Sequence, residues 1–379
     1  MNYAFEQTVK MIAGWDSITQ LPALLADEGF QRPLIVCDQS VVQLGLLERI
    51  EKLLQQQNIP AAVFDKVQPD PPADIIDEGA AFCASHCCDC IIAVGGGSTI
   101  DTAKGINLLR FNPGKILDYT KEGAVSKPTS GLICIPTTAG TGSELSMGMI
   151  VTNTETSQKL ALHAYGEFAI VDPALTATMP ASLTVNTGLD VFSHAFEAYT
   201  SLASNPMADA VCEKVMAEVF EWLPVAKNEP DNQTARQRMA VASSLGGWML
   251  SNGCAHIGHS MAHVLGAKSH LPHGLVCSYT LPVTIETVAD VLPEKVRYTG
   301  RILGVDFPKN VSPQQIGRLT AQAYRAFRDR LYDGKTCSFP IDESNIHTLA
   351  QEICKEAFAP LTPVKVDEAL VVEMLKKIG

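Results

Sequence analysis

The first half of the chain alternates short apolar runs with segments of helical periodicity, and this alternation limits the fold more than any other feature. Each of three β-rich apolar runs is followed by a helical pattern, in the order 33–37 and 44–57, 61–65 and 73–86, 91–94 and 99–109. Strands that alternate with helices are typical of βαβ units, in which the strands form a parallel sheet. The sequence therefore predicts an N-terminal α/β domain.

The pattern changes near Ser182, where long segments with a 3.6-residue apolar period replace the strand-like runs. Two prolines, Pro173 and Pro180, interrupt the chain just before this change. A chain of 379 residues is also longer than one ordinary hydrophobic core. We therefore predict two domains, an α/β domain over residues 1–181 and an all-helical domain over residues 182–379.

A glycine-rich loop follows the apolar run at 91–94. Gly95, Gly96 and Gly97 precede Ser98 and a helical segment. A strand, glycines and a helix N-terminus in that order are typical of a phosphate-binding site, because the backbone approaches the anion closely and the first helical amides point at it. The loop matches neither G-x-G-x-x-G nor the Walker A motif. We predict that these four residues bind the pyrophosphate of a dinucleotide, and a simple strand-to-helix turn is the alternative.

A second segment rich in glycine and hydroxyl groups, 136–144, follows the apolar run at 132–135. Thr137, Thr138 and Thr141 lie in this segment. We predict that these threonines contact the same cofactor from its other side.

Asp38 directly follows the first apolar run. A carboxylate at the end of a strand in a nucleotide-binding sheet accepts hydrogen bonds from ribose hydroxyls and repels a 2′-phosphate, which favours NAD over NADP. An aspartate that caps the next turn is an equally good interpretation. Position alone leaves the two interpretations open.

Five of the nine histidines fall between His256 and His273, a density that packing does not explain. Further upstream, an aspartate and a histidine stand four residues apart and so share one helix face. We predict a divalent metal site with one carboxylate and three imidazoles, from Asp190, His194, His259 and His273. This donor set suits Fe(II), Zn, Mn, Co or Ni, and spacing does not choose among them.

Two neighbours of these residues have several interpretations. His263 lies one helical turn after His259, where it is a further ligand, a support for the ligands, or a group that moves protons near the substrate. Glu197 follows His194 by three residues and is either a hydrogen-bond partner of that ligand or an ordinary surface carboxylate.

The charge and hydropathy of the chain limit the classes of partner that we expect it to bind. The formal net charge is −12 and no Lys/Arg cluster is present, so nucleic acid is not an expected partner. No apolar run reaches the roughly 18 residues that cross a bilayer, and the first residues carry no basic stretch of the secretory type. We expect a cytoplasmic protein that binds neither membrane nor nucleic acid.

Four separated motifs resemble those of the iron-containing (group III) alcohol dehydrogenase family, which includes lactaldehyde reductase and 1,3-propanediol dehydrogenase. They occur in the family's order and spacing, namely the glycine loop with Asp101 and Lys104, segment 136–144, segment 188–197 and segment 258–274. The resemblance implies a dehydroquinate synthase-like fold. In that fold an α/β dinucleotide-binding domain with a parallel sheet precedes an all-helical metal domain, and the site lies in the cleft between them.

The resemblance also implies roles for individual residues. The four predicted metal ligands fall on the family's ligands, with Fe(II) as the expected metal and zinc next. His263 falls on a histidine near the nicotinamide and is the expected catalytic residue. Asp101 and Lys159 fall on positions near the cofactor, and Asp38 falls on a carboxylate that disfavours NADP in several members. A homodimer or larger homo-oligomer is expected.

The reaction that the resemblance implies is the reversible, NAD(H)-linked interconversion of a small alcohol and its aldehyde or ketone. The metal polarises the substrate oxygen while hydride moves to or from nicotinamide C4. The alternatives are a glycerol dehydrogenase-like oxidation of polyols, a dehydroquinate synthase-like lyase, and a metal-binding or filament-forming protein without turnover. Gly148, Cys254 and His256 differ from relatives of known diol specificity, so the resemblance does not indicate the substrate.

Overall fold

The computed structural model describes residues 3–121, 123–156, 158–335 and 337–378. The chain divides into two compact units. One unit is Gln7–Met179, and the other combines Met1–Glu6 with Pro180–Gly379.

The Gln7–Met179 unit is an α/β structure. Its strands are β1 Lys10–Ala13, β2 Pro33–Asp38, β3 Ala62–Val67, β4 Cys90–Gly95, β5 Leu132–Pro136, β6 Gly148–Asn153, β7 Gln158–His163 and β8 Phe168–Val171. Its α-helices are α1 Leu21–Asp27, α2 Gln39–Gln43, α3 Leu46–Gln56, α4 Ala73–Ser85 and α5 Gly97–Phe111. Short 3₁₀ helices span Ser17–Gln20, Ile116–Thr120 and Pro173–Thr176.

Six of these strands form one parallel sheet in the order β1-β8-β5-β4-β2-β3. The chain extends the sheet from β2 to β3 on one side and then places β4 on the other side of β2. The carboxyl ends of β2 and β4 therefore flank the point where the strand order reverses, and ligands of open α/β sheets bind at such a point. Asp38 and Gly95 are the last residues of these two strands.

The central strands are apolar throughout because helices cover both faces of the sheet. Along β2, Leu34 and Val36 belong to the core on one face, whereas Ile35 and Cys37 belong to the core on the other. Cys37 therefore acts as a small hydrophobic residue, and all eleven cysteines of the chain are unpaired. This double burial explains why the apolar runs predicted strands of a parallel sheet.

Four strands were not predicted. β1 and β8 are only four residues long, and they pair with each other at one edge of the sheet. β6 and β7 form a separate antiparallel hairpin with register from Gly148 opposite His163 to Asn153 opposite Gln158.

In the second unit, every regular element of the described residues is helical. The α-helices are α6 Ala181–Thr200, α7 Pro206–Asn228, α8 Gln233–Asn252, α9 Ile257–Ser269, α10 His273–Val288, α11 Pro293–Ile302, α12 Pro313–Leu331, α13 Ile346–Cys354 and α14 Glu368–Leu375. A 3₁₀ helix spans Ala359–Leu361. The predicted fold class, an α/β region followed by an all-helical region, is confirmed.

Helix α6 is the central element of the helical unit. It contacts α7, α8 and α10, and every residue from Gly188 to Thr200 is buried. Polar side chains on such a helix need buried partners. In the described part of the chain, no helix has the length and apolar character to cross a membrane.

Candidate functional site

The glycine loop and the threonine segment lie side by side at the carboxyl edge of the sheet. Gly95 at the end of β4 is paired with Pro136 at the end of β5, and the Thr137 amide donates to the Gly95 carbonyl over 3.0 Å. Helix α5 begins at Gly97, directly after β4. Its first amide groups therefore stand at the loop, which is the geometry that binds a phosphate.

The glycines allow the two segments to approach each other. A Cβ atom at Gly96 would lie 3.2 Å from Thr138 Oγ1, and one at Gly97 would lie 2.9 Å from Thr141 Cγ2. The structure therefore brings together the predicted cofactor residues of both segments. Their contact with a dinucleotide stays a prediction.

Asp38 caps α2. Its Oδ1 accepts hydrogen bonds from the Ser40 amide at 2.7 Å and the Val41 amide at 3.1 Å, while its Oδ2 accepts one from Thr99 Oγ1 at 3.3 Å. The capping interpretation is therefore correct, and the contact with Thr99 places the same carboxylate beside the start of α5. Its role toward a ribose stays a prediction.

Asp101 and Lys104 on α5 form hydrogen bonds that hold the segment leading into β6. Asp101 accepts hydrogen bonds from Ser143 Oγ at 2.6 Å and from the Ile150 amide at 3.0 Å. Lys104 is buried, and its Nζ donates to the carbonyls of Ser146 and Gly148 at 2.9 and 2.7 Å. Burial is the largest cause that lowers the pKa of Lys104. These contacts give both residues a structural role in addition to the predicted cofactor role of Asp101.

Lys159 lies on the β6–β7 hairpin, where its Nζ is 2.6 Å from Asp70 Oδ1. Both side chains are exposed at this ion pair. The approach of Lys159 to the cofactor stays a prediction.

In the helical unit, three imidazole nitrogens converge on one carboxylate oxygen. Asp190 Oδ1 lies 3.9 Å from His194 Nε2, 3.7 Å from His259 Nε2 and 3.5 Å from His273 Nε2. Asp190 and His194 come from α6, His259 from α9 and His273 from the first residue of α10. We call these four residues the metal centre.

Three residues of the metal centre are buried, and the fourth is exposed. The side chains of Asp190, His194 and His259 are 3–4% exposed, whereas that of His273 is 41% exposed. His273 therefore lies at the accessible side of the metal centre.

The donors of the metal centre fit a divalent cation. Asp190 Oδ1 and His259 Nε2 are buried and have no hydrogen-bond partner among the described residues. Buried polar atoms normally have a partner, and an ion satisfies both of these atoms at once. One carboxylate with three imidazoles is a donor set for Fe(II), Zn and related ions.

Glu197 contacts the ring nitrogen of His259 that faces away from Asp190. Its Oε1 is 2.6 Å from His259 Nδ1, and its Oε2 accepts hydrogen bonds from the backbone amides of His256 at 2.8 Å and His259 at 3.2 Å. The carboxylate lies on His259 rather than on His194, and it is buried rather than on the surface. It orients the His259 ring, as acceptors behind metal-bound histidines do.

The electrostatics of the centre favour a cation. Burial alone would raise the pKa of Asp190, but His194 and His273 lower it below its usual range. Burial alone would likewise raise the pKa of Glu197, but His259 lowers it to about 2. Burial would lower the pKa of His259, yet Cys277, Glu197 and Asp190 raise it well above its usual value. Burial lowers the pKa of His194 to about 4, so its imidazole is neutral and free to bind a metal.

Comparison with known proteins decides the family. The family model "Iron-containing alcohol dehydrogenase" matches residues 8–173, and the model of the C-terminal part of Fe-containing alcohol dehydrogenases matches residues 184–379. The chain belongs to the iron-containing alcohol dehydrogenase family. The predicted resemblance is confirmed.

Individual relatives agree with this result. The chain is 39% identical to alcohol dehydrogenase 4 of Schizosaccharomyces pombe over 256 residues, which are 67% of this chain and 60% of that protein. It is 33% identical to the NAD-dependent methanol dehydrogenase of Bacillus methanolicus over 298 residues, 77% of this chain and 78% of that protein. The crystal structure of a 1,3-propanediol oxidoreductase superposes with a TM-score of 0.92, 27% identity and full coverage of both chains.

Family membership confirms the predicted class of enzyme, an NAD-linked and metal-dependent alcohol dehydrogenase, and iron is the metal of the family. The roles of single residues stay predictions.

In this iron-containing alcohol dehydrogenase, His263 stands at the edge of the metal centre. Its ring centroid is 5.5 Å from that of His273 and 6.4 Å from that of His259. Its Nδ1 lies 3.0 Å from Glu356 Oε2, and both side chains are about 30% exposed. Sequence reasoning did not single out Glu356, because it lies 93 residues from its partner.

His256, Cys254 and Gly148, which differ from relatives of known diol specificity, lie in different environments in the structure. His256 is fully buried, and its Nε2 lies 2.9 Å from Thr200 Oγ1. It therefore supports the start of α9 instead of lining an open pocket. Cys254 is partly buried, and Gly148 is exposed at the start of β6.

Cys277 was also missed as a site residue. It lies one turn after His273 on α10, and its Sγ is 3.4 Å from His273 Nε2. Burial raises the pKa of this thiol to about 12. The i,i+4 spacing from His273 was the signal in the sequence that pointed to a shared helix face.

Proposed function

We propose that this protein catalyses the reversible, NAD(H)-linked reduction of a small aldehyde or ketone to the corresponding alcohol. The observation that carries the proposal is the convergence of three imidazole nitrogens on Asp190 Oδ1, with His273 at the exposed edge of the cluster. The other unit of the same chain presents a glycine loop at the switch point of a parallel sheet, where dinucleotides bind in folds of this kind.

Asp190, His194, His259 and His273 hold the metal, which we propose to be Fe(II), with zinc as the second choice. A divalent ion in this position supplies a Lewis acid that polarises the substrate oxygen while hydride passes between nicotinamide C4 and the carbonyl carbon. Glu197 keeps the His259 ring in place through its bond to Nδ1, which leaves Nε2 for the ion.

His263 is the residue that we propose to move the proton. In reduction the substrate oxygen gains one proton as the carbonyl carbon gains hydride, and in oxidation both leave. The bond to Glu356 engages His263 Nδ1, so we assign the proton transfer to Nε2. Because both side chains are partly exposed, a proton taken up by His263 has a route to solvent.

The cofactor contacts are assigned to the carboxyl edge of the sheet. Gly95, Gly96, Gly97 and Ser98 bind the pyrophosphate through the loop and the first amides of α5. Thr137, Thr138 and Thr141 contact it from the neighbouring strand end, with further contributions from Asp101 and Lys159. Asp38 selects NAD, since its charge repels a 2′-phosphate.

Two properties of the whole protein belong to the same proposal. We expect a homodimer or larger homo-oligomer, which light scattering of the purified protein would measure. We also expect the enzyme to act in the cytoplasm, which fractionation of the source cells would test.

The first experiment measures NADH oxidation by absorbance with metal-stripped protein that is reloaded separately with Fe(II), Zn or Mn. Short aldehydes, hydroxyaldehydes and acidic aldehydes form the substrate panel. Asp190→Asn should lose both the metal and the activity, whereas Asp306→Asn, an exposed aspartate of the same unit, should retain both. Activity that does not depend on any added metal, or no activity with any substrate, would count against the proposal.

A further inference from the structure

Cys277 is a buried sulfur that faces the metal centre. Four residues offer one donor atom each within 4.8 Å of one another, namely Asp190, His259, His273 and Cys277. His194 Nε2 lies farther from Asp190 Oδ1 than the other two imidazole nitrogens do. The sulfur is therefore as well placed for an ion as one of the family-type ligands.

The distances agree with a shared ion. Zinc binds sulfur at about 2.3 Å and imidazole nitrogen at about 2.0–2.1 Å, so donor atoms on one tetrahedral zinc lie about 3.5 Å apart. Cys277 Sγ is 3.4 Å from His273 Nε2, and His273 Nε2 is 3.5 Å from Asp190 Oδ1. These separations match those of a common coordination sphere.

We propose that zinc at this centre takes Cys277 as a sulfur ligand beside Asp190, His259 and His273, with the more distant His194 outside the tetrahedral set, and that Cys277 raises the preference of the site for zinc over Fe(II). The proposal rests on the proposed metal-dependent function and extends its ligand set. Thiolates are soft donors that favour zinc, whereas the other donors suit either ion. On binding, the S–H bond breaks, the sulfur keeps the electron pair as a thiolate, and the proton leaves to solvent. Neither the metal nor the sulfur changes oxidation state.

Cobalt(II) provides a direct test because a sulfur ligand produces a near-ultraviolet charge-transfer band in addition to the visible d–d bands of the ion. One equivalent of Co(II) is added to the metal-stripped wild-type protein and to Cys277→Ser. We expect both bands in the wild type and the loss of only the charge-transfer band in Cys277→Ser. Cys212→Ser, which changes a buried cysteine of α7, should retain both bands.

The outcomes separate this proposal from the proposed function. Visible d–d bands without a charge-transfer band in the wild type would overturn the sulfur ligand and leave the metal centre intact. Absence of both bands would overturn the metal centre as well.

Two further measurements do not depend on the cobalt spectrum. X-ray absorption of the zinc-loaded wild-type protein should show a sulfur shell at about 2.3 Å, and a spectrum with only nitrogen and oxygen neighbours would overturn the proposal. Competition titration should show that Cys277→Ser lowers the ratio of zinc to Fe(II) affinity roughly 10-fold. An unchanged ratio would overturn the assigned preference for zinc.

Discussion

Glu197 Oε1 lies 2.6 Å from His259 Nδ1, and the second oxygen of the same carboxylate accepts hydrogen bonds from the backbone amides of His256 and His259 at the start of α9. Gly258 makes this approach possible, because a Cβ atom there would lie 2.5 Å from Glu197 Oε1. One carboxylate from α6 therefore caps the N-terminus of α9 and orients the histidine of that helix. It links the stability of the helical unit to the geometry of the metal centre.

Replacement of Glu197 should weaken metal binding. In Glu197→Gln the acceptor of His259 loses its charge, and we expect metal affinity to fall ~10–100-fold. Competition with a chromophoric chelator measures this change. Glu197→Ala should also lower the free energy of unfolding by about 3 kcal/mol, because buried donors lose their partner.

The matched control for Glu197 is Glu352→Gln, which alters an exposed carboxylate paired with Lys268. It should change neither the metal affinity nor the unfolding energy. Wild-type metal affinity in Glu197→Gln would show that His259 does not need this partner.

His263→Ala should slow turnover without loss of metal. A proton-transfer group contributes ~10²–10⁴-fold to the rate, so kcat should fall within this range. Metal content by elemental analysis should stay at the wild-type level, and loss of the metal would instead identify His263 as a ligand. His270→Ala, at the exposed C-terminal end of α9, is the control and should behave as the wild type.

Gly97→Ala should weaken NADH binding. The added Cβ would lie 2.9 Å from Thr141 Cγ2, and overpacking of this kind costs about 1–3 kcal/mol, so the dissociation constant should rise ~10-fold. NADH fluorescence titration measures it. Gly148→Ala adds a methyl group where no atom lies within 4 Å, and it should bind NADH normally. Equal affinities of the two variants would argue against the cofactor role of the loop.

Two variants separate the cap made by Asp38 from its charge. Asp38→Ser keeps a capping oxygen, whereas Asp38→Ala removes the cap and should lower the free energy of unfolding by ~1 kcal/mol. Both remove the charge, so both should increase kcat/KM with NADPH relative to NADH. A cofactor preference that stays unchanged in Asp38→Ser would leave Asp38 with its capping role alone.

Much of the fold was predictable because it depends on local patterns. Residues 91–94 are apolar because both faces of β4 are buried, and that pattern indicates a central parallel strand without any knowledge of its partners. The four-residue spacing of Asp190 and His194 similarly places two donors on one face of α6. The short strands β1 and β8 were not predicted, because four residues carry too little periodicity to distinguish a strand from a loop.

By itself, the sequence determined the α/β and all-helical halves, the glycine loop, the histidine-rich segment and the family, since each is expressed in neighbouring residues. Only the tertiary structure decided that Glu197 supports His259, 62 residues away, and that Glu356 contacts His263, 93 residues away. It also decided that Cys277 faces the metal centre. These relationships depend on how helices pack, and packing is set by many weak contacts that no local spacing records.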